Sequence, residues 1–259
     1  MARMHNATTP PPPYPLPPKA RQPVYDAGPF RRADAVVLVL YGLLLGLGVA
    51  GLLLLVPAYM GLFPTENQAM FSVNLISYAV LFSAAMVVAA PHLFRTFGTF
   101  VHNPWAKFGL VPGLWLASIL TTTGILVASG ADPTKSENQL AIEAMTRDVP
   151  FATMFATAVV MGPLVEEYVF RHLLIGKMSR KVPVWICVPV SVVAFAGLHF
   201  IGSGTFDPVS AIPYLVLGVA ISLAYVFTGK SLAYAYVLHF FNNAVSLTLA
   251  YSLGPELGL

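Results

Sequence analysis

From Ala35 onward the chain reads as long apolar runs separated by short polar or charged stretches. Seven runs approach the ~20 residues that a bilayer core needs. They are Ala35–Met60, Met70–Pro91, Phe108–Ser129, Phe151–Ile175, Val182–Ile201, Pro208–Phe227 and Ser231–Leu253. The pattern predicts an all-α polytopic transmembrane helical bundle of about seven spans. Before the first run, residues 1–34 carry TTPPPPYPLPP and scattered Arg and Lys, the composition of a disordered, polyproline-like tail. This polar start has no apolar core of a cleavable signal peptide.

Composition agrees with the pattern. Hydrophobic residues make up 57% of the chain and charged residues 10%, with mean hydropathy +0.73, whereas a soluble domain carries about 25% charged residues. The net charge of +3 does not indicate nucleic-acid binding, because the basic residues lie mostly in short loops, where they report orientation. They cluster in the tail up to Arg31 and Arg32, between Arg95 and Lys107, between Lys177 and Lys181, and at Lys230. The loops around Glu66, Asp132–Asp148 and Asp207 are acidic or neutral. All four basic sites fit one topology, with the N-terminus cytoplasmic and the C-terminus outside, and the short loops point to a bacterial inner (plasma) membrane. In the loop Gly130–Pro150, Ser136 followed by Gln139 predicts a capped, short interfacial helix. Cys187, in an apolar run, offers neither a disulfide nor a Cys-based metal site. The first three spans show no spacing that suggests chemistry, and they read as scaffold.

Candidate chemistry begins in the fourth span, in MGPLVEEYVFRHLLIGK. An acid at the centre of a membrane helix costs at least ~2.5 kcal/mol on insertion scales, so the adjacent Glu166 and Glu167 need a reason to be there. Every other acidic residue can be placed in a tail or loop. Residues four apart share a helical face, which pairs Glu167 with Arg171. Glu166, rotated by about 100°, is left without a full partner, and a desolvated carboxylate of that kind is suited to proton transfer.

Two later spans add polar groups. His199 follows Phe195 by one turn in VVAFAGLHF, and His239 and Asn243 share a face in LHFFNNAVS, with Asn242 directed elsewhere. Glu166, two His and one Asn on three spans form an acid/base-and-donor set with no evident nucleophilic Ser or Cys. A carboxylate and an imidazole can deprotonate a water while a second imidazole and a carboxamide hold an oxyanion, the requirements of amide hydrolysis. A divalent metal such as zinc on Glu and His ligands would serve the same end, although HExxH is absent.

The ordered motifs EExxxR (Glu166, Glu167, Arg171), FxxxH (Phe195, His199) and HxxxN (His239, Asn243) resemble those of the CPBP intramembrane proteases, also called Abi. That family includes the type II CAAX prenyl endopeptidases and bacteriocin-processing or self-immunity proteins. The resemblance covers about the last 110 residues. It implies that Glu166 and His199 activate a water, that His239 and Asn243 stabilise the oxyanion, and that Glu167 and Arg171 support the site. It leaves open whether a metal takes part. The domain reading is then tail 1–34, helices and interfacial loop 35–150, and protease core 151–259, acting on a membrane-associated protein or peptide, including a prenylated CAAX-type one.

One tension remains. His199 falls near the external end of its span while Glu166 and His239 lie nearer mid-span, a mismatch of about 10 Å for an upright helix, which tilt or a break near Gly162–Pro163 would close. Among rivals, a rhomboid-type serine protease would draw on Gly202, Ser203 and Gly204, but Ile201 occupies the first glycine of Gly-x-Ser-Gly. A proton-coupled transporter could use Glu166 and the histidines as a relay, although no internal repeat is evident. A catalytically inert immunity or partner protein is the third.

Overall fold

The computed structural model describes residues 23–101, 104–131, 135–201 and 206–253. Among them are eight principal helices and no strand: α1 (Arg32–Leu55), α2 (Glu66–Phe100), α3 (Pro104–Ser129), α4 (Glu137–Met145), α5 (Phe151–Arg180), α6 (Val184–Leu198), α7 (Pro208–Phe227) and α8 (Leu232–Leu253). The chain is an all-α polytopic helical bundle. Five helices (α1, α2, the Lys107–Ser129 part of α3, α5 and α7) are long and apolar enough to cross a membrane. The expected fifth span is the shorter α6, and the expected seventh is α8, which carries His239, Asn242 and Asn243 in its middle. The TTPPPPYPLPP run and the rhomboid-like Gly202–Gly204 triplet lie outside the described residues.

Helix α5 is the central column. Its most apolar window is 67% buried, against 6% for α3 on the periphery. Phe170, Tyr168 and Val165 of α5 meet Leu81 of α2, Phe195 of α6 and Ile221 of α7 in one continuous core. Wide π-helical turns occupy Phe155–Met161 and Glu167–Lys177 and flank an α-helical stretch, Gly162–Glu166. Helix α1 is interrupted: a π turn at Gly42–Gly46 leads to Gly48 at φ 61° and a 3-10 segment, Val49–Leu55. Only glycine takes that left-handed angle without cost. Ser136 caps α4 by accepting from Gln139 N at 3.2 Å, as its position predicted. The reciprocal half of the box is not made, because the Gln139 side chain turns to Glu143 instead.

The tail boundary needs correction, since residues 23–34 are not free. Residues 23–31 form a strap across the end of the bundle where α2 and α5 finish, and 32–34 open α1. Tyr25 N donates to Gly229 O at 2.7 Å and Thr99 Oγ1 donates to Tyr25 Oη at 3.2 Å, while Arg95 reaches Asp26 O at 2.9 Å. Gly229, at φ 74°, admits the strap, because a Cβ there would collide with the Pro23 carbonyl. Asp26 pairs with Arg180 at 2.8 Å. The Gly28 N–H and the Arg180 guanidinium hold its carboxyl below the ordinary carboxylate range.

Asp34 also departs from the expectation that every acid outside Glu166 and Glu167 sits in a tail or loop. It is fully buried, accepting from Tyr168 Oη at 2.5 Å and from Lys177 Nζ at 2.7 and 2.8 Å. Lys177, expected in a loop, is buried with it. The strap carries Asp34 into the bundle, where the ammonium and the phenol offset its desolvation. Removing one member leaves the other charge buried and alone, a loss of about 3–5 kcal/mol. Asp34→Asn should therefore lower the thermal unfolding midpoint in detergent sharply, and Asp34→Leu combined with Lys177→Met should recover much of the loss. Equal midpoints for wild type and Asp34→Asn would show that the pair contributes nothing.

Candidate functional site

The fourth span sets the site because its two adjacent carboxylates point to different neighbours. Glu167 and Arg171 are both fully buried and joined by Glu167 Oε1 to Arg171 Nη1 at 3.0 Å, as the spacing predicted. The same Oε1 lies 2.8 Å from His239 Nδ1, so one oxygen serves a guanidinium and an imidazole. Arg171 uses its second Nη to reach Gly218 O at 3.1 Å and stacks over the Phe195 ring at 4.5 Å. Gly218 makes this approach possible, because a Cβ there would stand 3.2 Å from Phe195 Cδ1. A buried guanidinium is thereby bonded to α5 and α7 and stacked on α6.

Glu166 faces the other way, into a cavity of ≈390 Å³ that it lines together with His199, His239 and Asn243. Four of the six sequence-selected residues thus share one space, and Glu167 and Arg171 stand behind its wall. Glu166 Oε2 is 3.8 Å from His239 Nε2, and Glu166 Oε1 accepts from Tyr78 Oη at 3.2 Å. His239 therefore spans the two carboxylates, one at each ring nitrogen. The imidazole nearest Glu166 is thus His239 rather than His199, which makes no direct hydrogen bond to it.

His199 caps the end of α6, its Nδ1 3.0 Å from Phe195 O. A carbonyl can only accept, so Nδ1 carries the hydrogen and a neutral His199 keeps a lone pair on Nε2. Its ring stacks on Tyr214 with centroids 4.0 Å apart, and Tyr214 Oη is 2.8 Å from Ser136 Oγ at the start of α4. Asn243 is held at both ends: Nδ2 donates to Ala158 O at 2.9 Å, and Oδ1 accepts from Asn242 at 3.0 Å. Two amide N–H groups belong to Nδ2, so one remains for another acceptor.

Several expectations are corrected here. Asn242 lines the cavity beside Asn243 instead of pointing away. The first three spans are not scaffold alone, since α1 contributes Leu45 and α2 contributes Phe71, Asn74 and Tyr78 to the lining. His199, at the end of α6, and Glu166 line the same cavity despite the expected difference in depth, and α5 changes from π-helical to α-helical geometry at Gly162. Tyr78 and Tyr214 were not singled out from the sequence, because a tyrosine in an apolar run carries no spacing signal of its own. Gly162 is the one local hint, since a Cβ there would meet Thr157 O at 3.3 Å and the Tyr78 ring at 3.6 Å.

The donor set does not fit a metal well. Among the described residues, no three His, Cys, Asp or Glu side chains converge closely enough to hold an ion, and His239 Nδ1 is already committed to Glu167.

Residues 148–245 match the family model described as type II CAAX prenyl endopeptidase Rce1-like. The chain is 31% identical over 159 residues to the membrane-embedded CAAX protease MroQ of Staphylococcus aureus (strain USA300), an alignment covering 59% of this chain and 60% of that protein. It is 32% identical over 108 residues to an uncharacterised protein of Mycoplasma capricolum subsp. capricolum, covering 42% of this chain and 30% of the relative. The chain therefore spans less than two thirds of either relative. No solved structure matches it.

The guanidinium fork yields a test that is independent of activity. Lysine keeps the charge but cannot bond Glu167 and Gly218 together, and each charge-assisted hydrogen bond lost costs about 1.5–3 kcal/mol. Arg171→Lys should lower the thermal midpoint of the detergent-purified protein. An unchanged midpoint would show that a point charge suffices.

Proposed function

We propose that this chain, a member of the CPBP intramembrane protease family through residues 148–245, is an intramembrane endopeptidase that hydrolyses a peptide bond of a membrane-associated protein. The observation that carries the reading is Glu166, a carboxylate facing a cavity inside an apolar bundle, with His199, His239 and Asn243 lining the same cavity. A peptide bond brought between Glu166 and these donors meets each group that hydrolysis needs.

In this reading a water sits between Glu166 and His199 Nε2. Its oxygen bonds to the scissile carbonyl carbon as Glu166 takes its proton. The negative charge that develops on the carbonyl oxygen is met by the remaining Asn243 N–H, and by His239 Nε2–H when the ring carries both protons. Fixed donors of this kind act without reorganising, which is why they favour the transition state. The C–N bond then breaks, and Glu166 returns the proton to the leaving amine. Tyr78, donating to Glu166 Oε1, orients the carboxylate so that Oε2 faces the water. Glu167 acts through His239, fixing its ring, and Arg171 holds Glu167.

In this scheme the carboxylate and imidazoles activate the water by proton transfer alone. The relative MroQ is a CAAX protease by name, so a prenylated CAAX-type peptide belongs among the substrates tried, beside an unprenylated one.

The test is cleavage of quenched fluorescent peptides by the purified protein in detergent. Glu166→Gln should reduce the rate by about 10²–10⁴, the range for a general base. Asn243→Ala should reduce it by about 10²–10³, the range for an oxyanion donor. Chelator should leave the wild-type rate unchanged. Cleavage undiminished in Glu166→Gln would remove Glu166 from the centre of the reaction, and chelator-sensitive cleavage would replace the carboxylate scheme with a metal-assisted one.

A further inference from the structure

We infer that the cavity is entered from the extracytoplasmic side of the membrane, so that the segment cut is one displayed outside the cell rather than a lipid-anchored cytoplasmic tail. The inference rests on the peptidase reading for its chemistry and on the cavity's shape and the chain's charges for its direction.

The lining runs from the α4 end of the helices to about their middle, where Glu166 and His239 stand. Helix α2 contributes Phe71 to Tyr78, close to its start at Glu66, and α5 contributes Met154 to Glu166, close to its start at Phe151. Helix α8 runs the opposite way and contributes residues from His239 to Ala250, toward its other end. Asn138 and Ile142 of α4 lie at the same end. Nothing from the strap end lines the space. That end is filled by the buried Asp34–Lys177 pair and by the strap hydrogen-bonded across Thr99 and Gly229.

The charges give this axis a direction. Arg31, Arg95, Lys107, Arg180, Lys181 and Lys230 all belong to the strap end. Among the described residues, the α4 end has Lys135 and Arg147 beside Glu66, Glu137, Glu143, Asp148 and Asp207. Lys and Arg in short loops stay cytoplasmic, which puts the strap inside and the cavity mouth outside. The mouth also suits a peptide. Asn138, Gln139 and Ser246 present amide and hydroxyl groups there, which can pair with the backbone of an extended segment, and a lipid-anchored cytoplasmic tail would meet the closed base.

Cysteine labelling reads this without any substrate. In a Cys187→Ala background, Asn138→Cys, Ser246→Cys and Lys181→Cys are each exposed to a membrane-impermeant maleimide in spheroplasts and in inverted vesicles. Asn138→Cys and Ser246→Cys should label in spheroplasts, and Lys181→Cys only in inverted vesicles. Labelling of Ser246→Cys from the cytoplasmic face, or from neither face, would overturn the inference, as would labelling of Lys181→Cys in spheroplasts. Failure of the detergent cleavage assay would count against the peptidase reading alone and leave the sidedness result standing. Where detergent cleavage is seen, proteoliposomes oriented by the Lys181→Cys label should cleave externally added impermeant peptide in proportion to the fraction with α4 outward. Cleavage tracking the opposite fraction would overturn the inference.

Discussion

The site depends on how one carboxylate oxygen is shared. Glu167 Oε1 holds both Arg171 and His239, and through them α5 is tied to α7 and α8, with Phe195 of α6 under the guanidinium. A buried ion pair is by itself weak evidence of stability, because desolvation opposes the Coulomb attraction. Its value here is positional. The pair fixes which way the His239 ring faces, and it leaves the neighbouring carboxylate, Glu166, free to look into the cavity.

That division of labour is a consequence of helical geometry. Two adjacent residues cannot point the same way, so one glutamate is drawn into the structural pair and the other is left to the cavity. The second buried pair, Asp34 with Lys177, solves the same desolvation problem at the other end of α5 without exposing any group to a cavity. One column therefore carries a structural ion pair near its end and, near its middle, a pair plus an acid that lines a cavity, and the difference between them is whether there is space beside the charge.

Much of this was legible in the sequence because it follows from short-range periodicity. Apolar run lengths gave the all-helical bundle. The four-residue spacing gave Glu167 with Arg171, and the residues of the three ordered motifs do converge on one site. What escaped was set by contacts distant in sequence. Asp34 reads as the end of a tail, and nothing within its own neighbourhood indicates that Lys177 and Tyr168 wait for it 143 and 134 residues away. Tyr78 likewise reaches Glu166 across 88 residues. Asn242 was sent to the wrong face because a side-chain amide can swing far enough to defeat a simple count of degrees around the helix. The π-helical turns of α5 also have no pattern that distinguishes them from ordinary turns.

Under the proposed peptidase reading, with entry only at the α4 end as inferred above, the cavity would behave as a ruler. The filled base sets how far an inserted strand can travel, and Glu166 stands at a fixed distance above that base. A segment that cannot thread through must enter as a free end or as the tip of a bend, so the distance from that end to the cut is dictated by the depth of the pocket before any side chain is inspected. Both fragments must also leave by the way the substrate came, which makes release of the shorter one the step most sensitive to whatever covers the mouth. The short helix α4 lies at that mouth, and Ser136 at its start touches the tyrosine stacked on His199. Helix α4 and the cavity-lining His199 are therefore separated by a single aromatic ring.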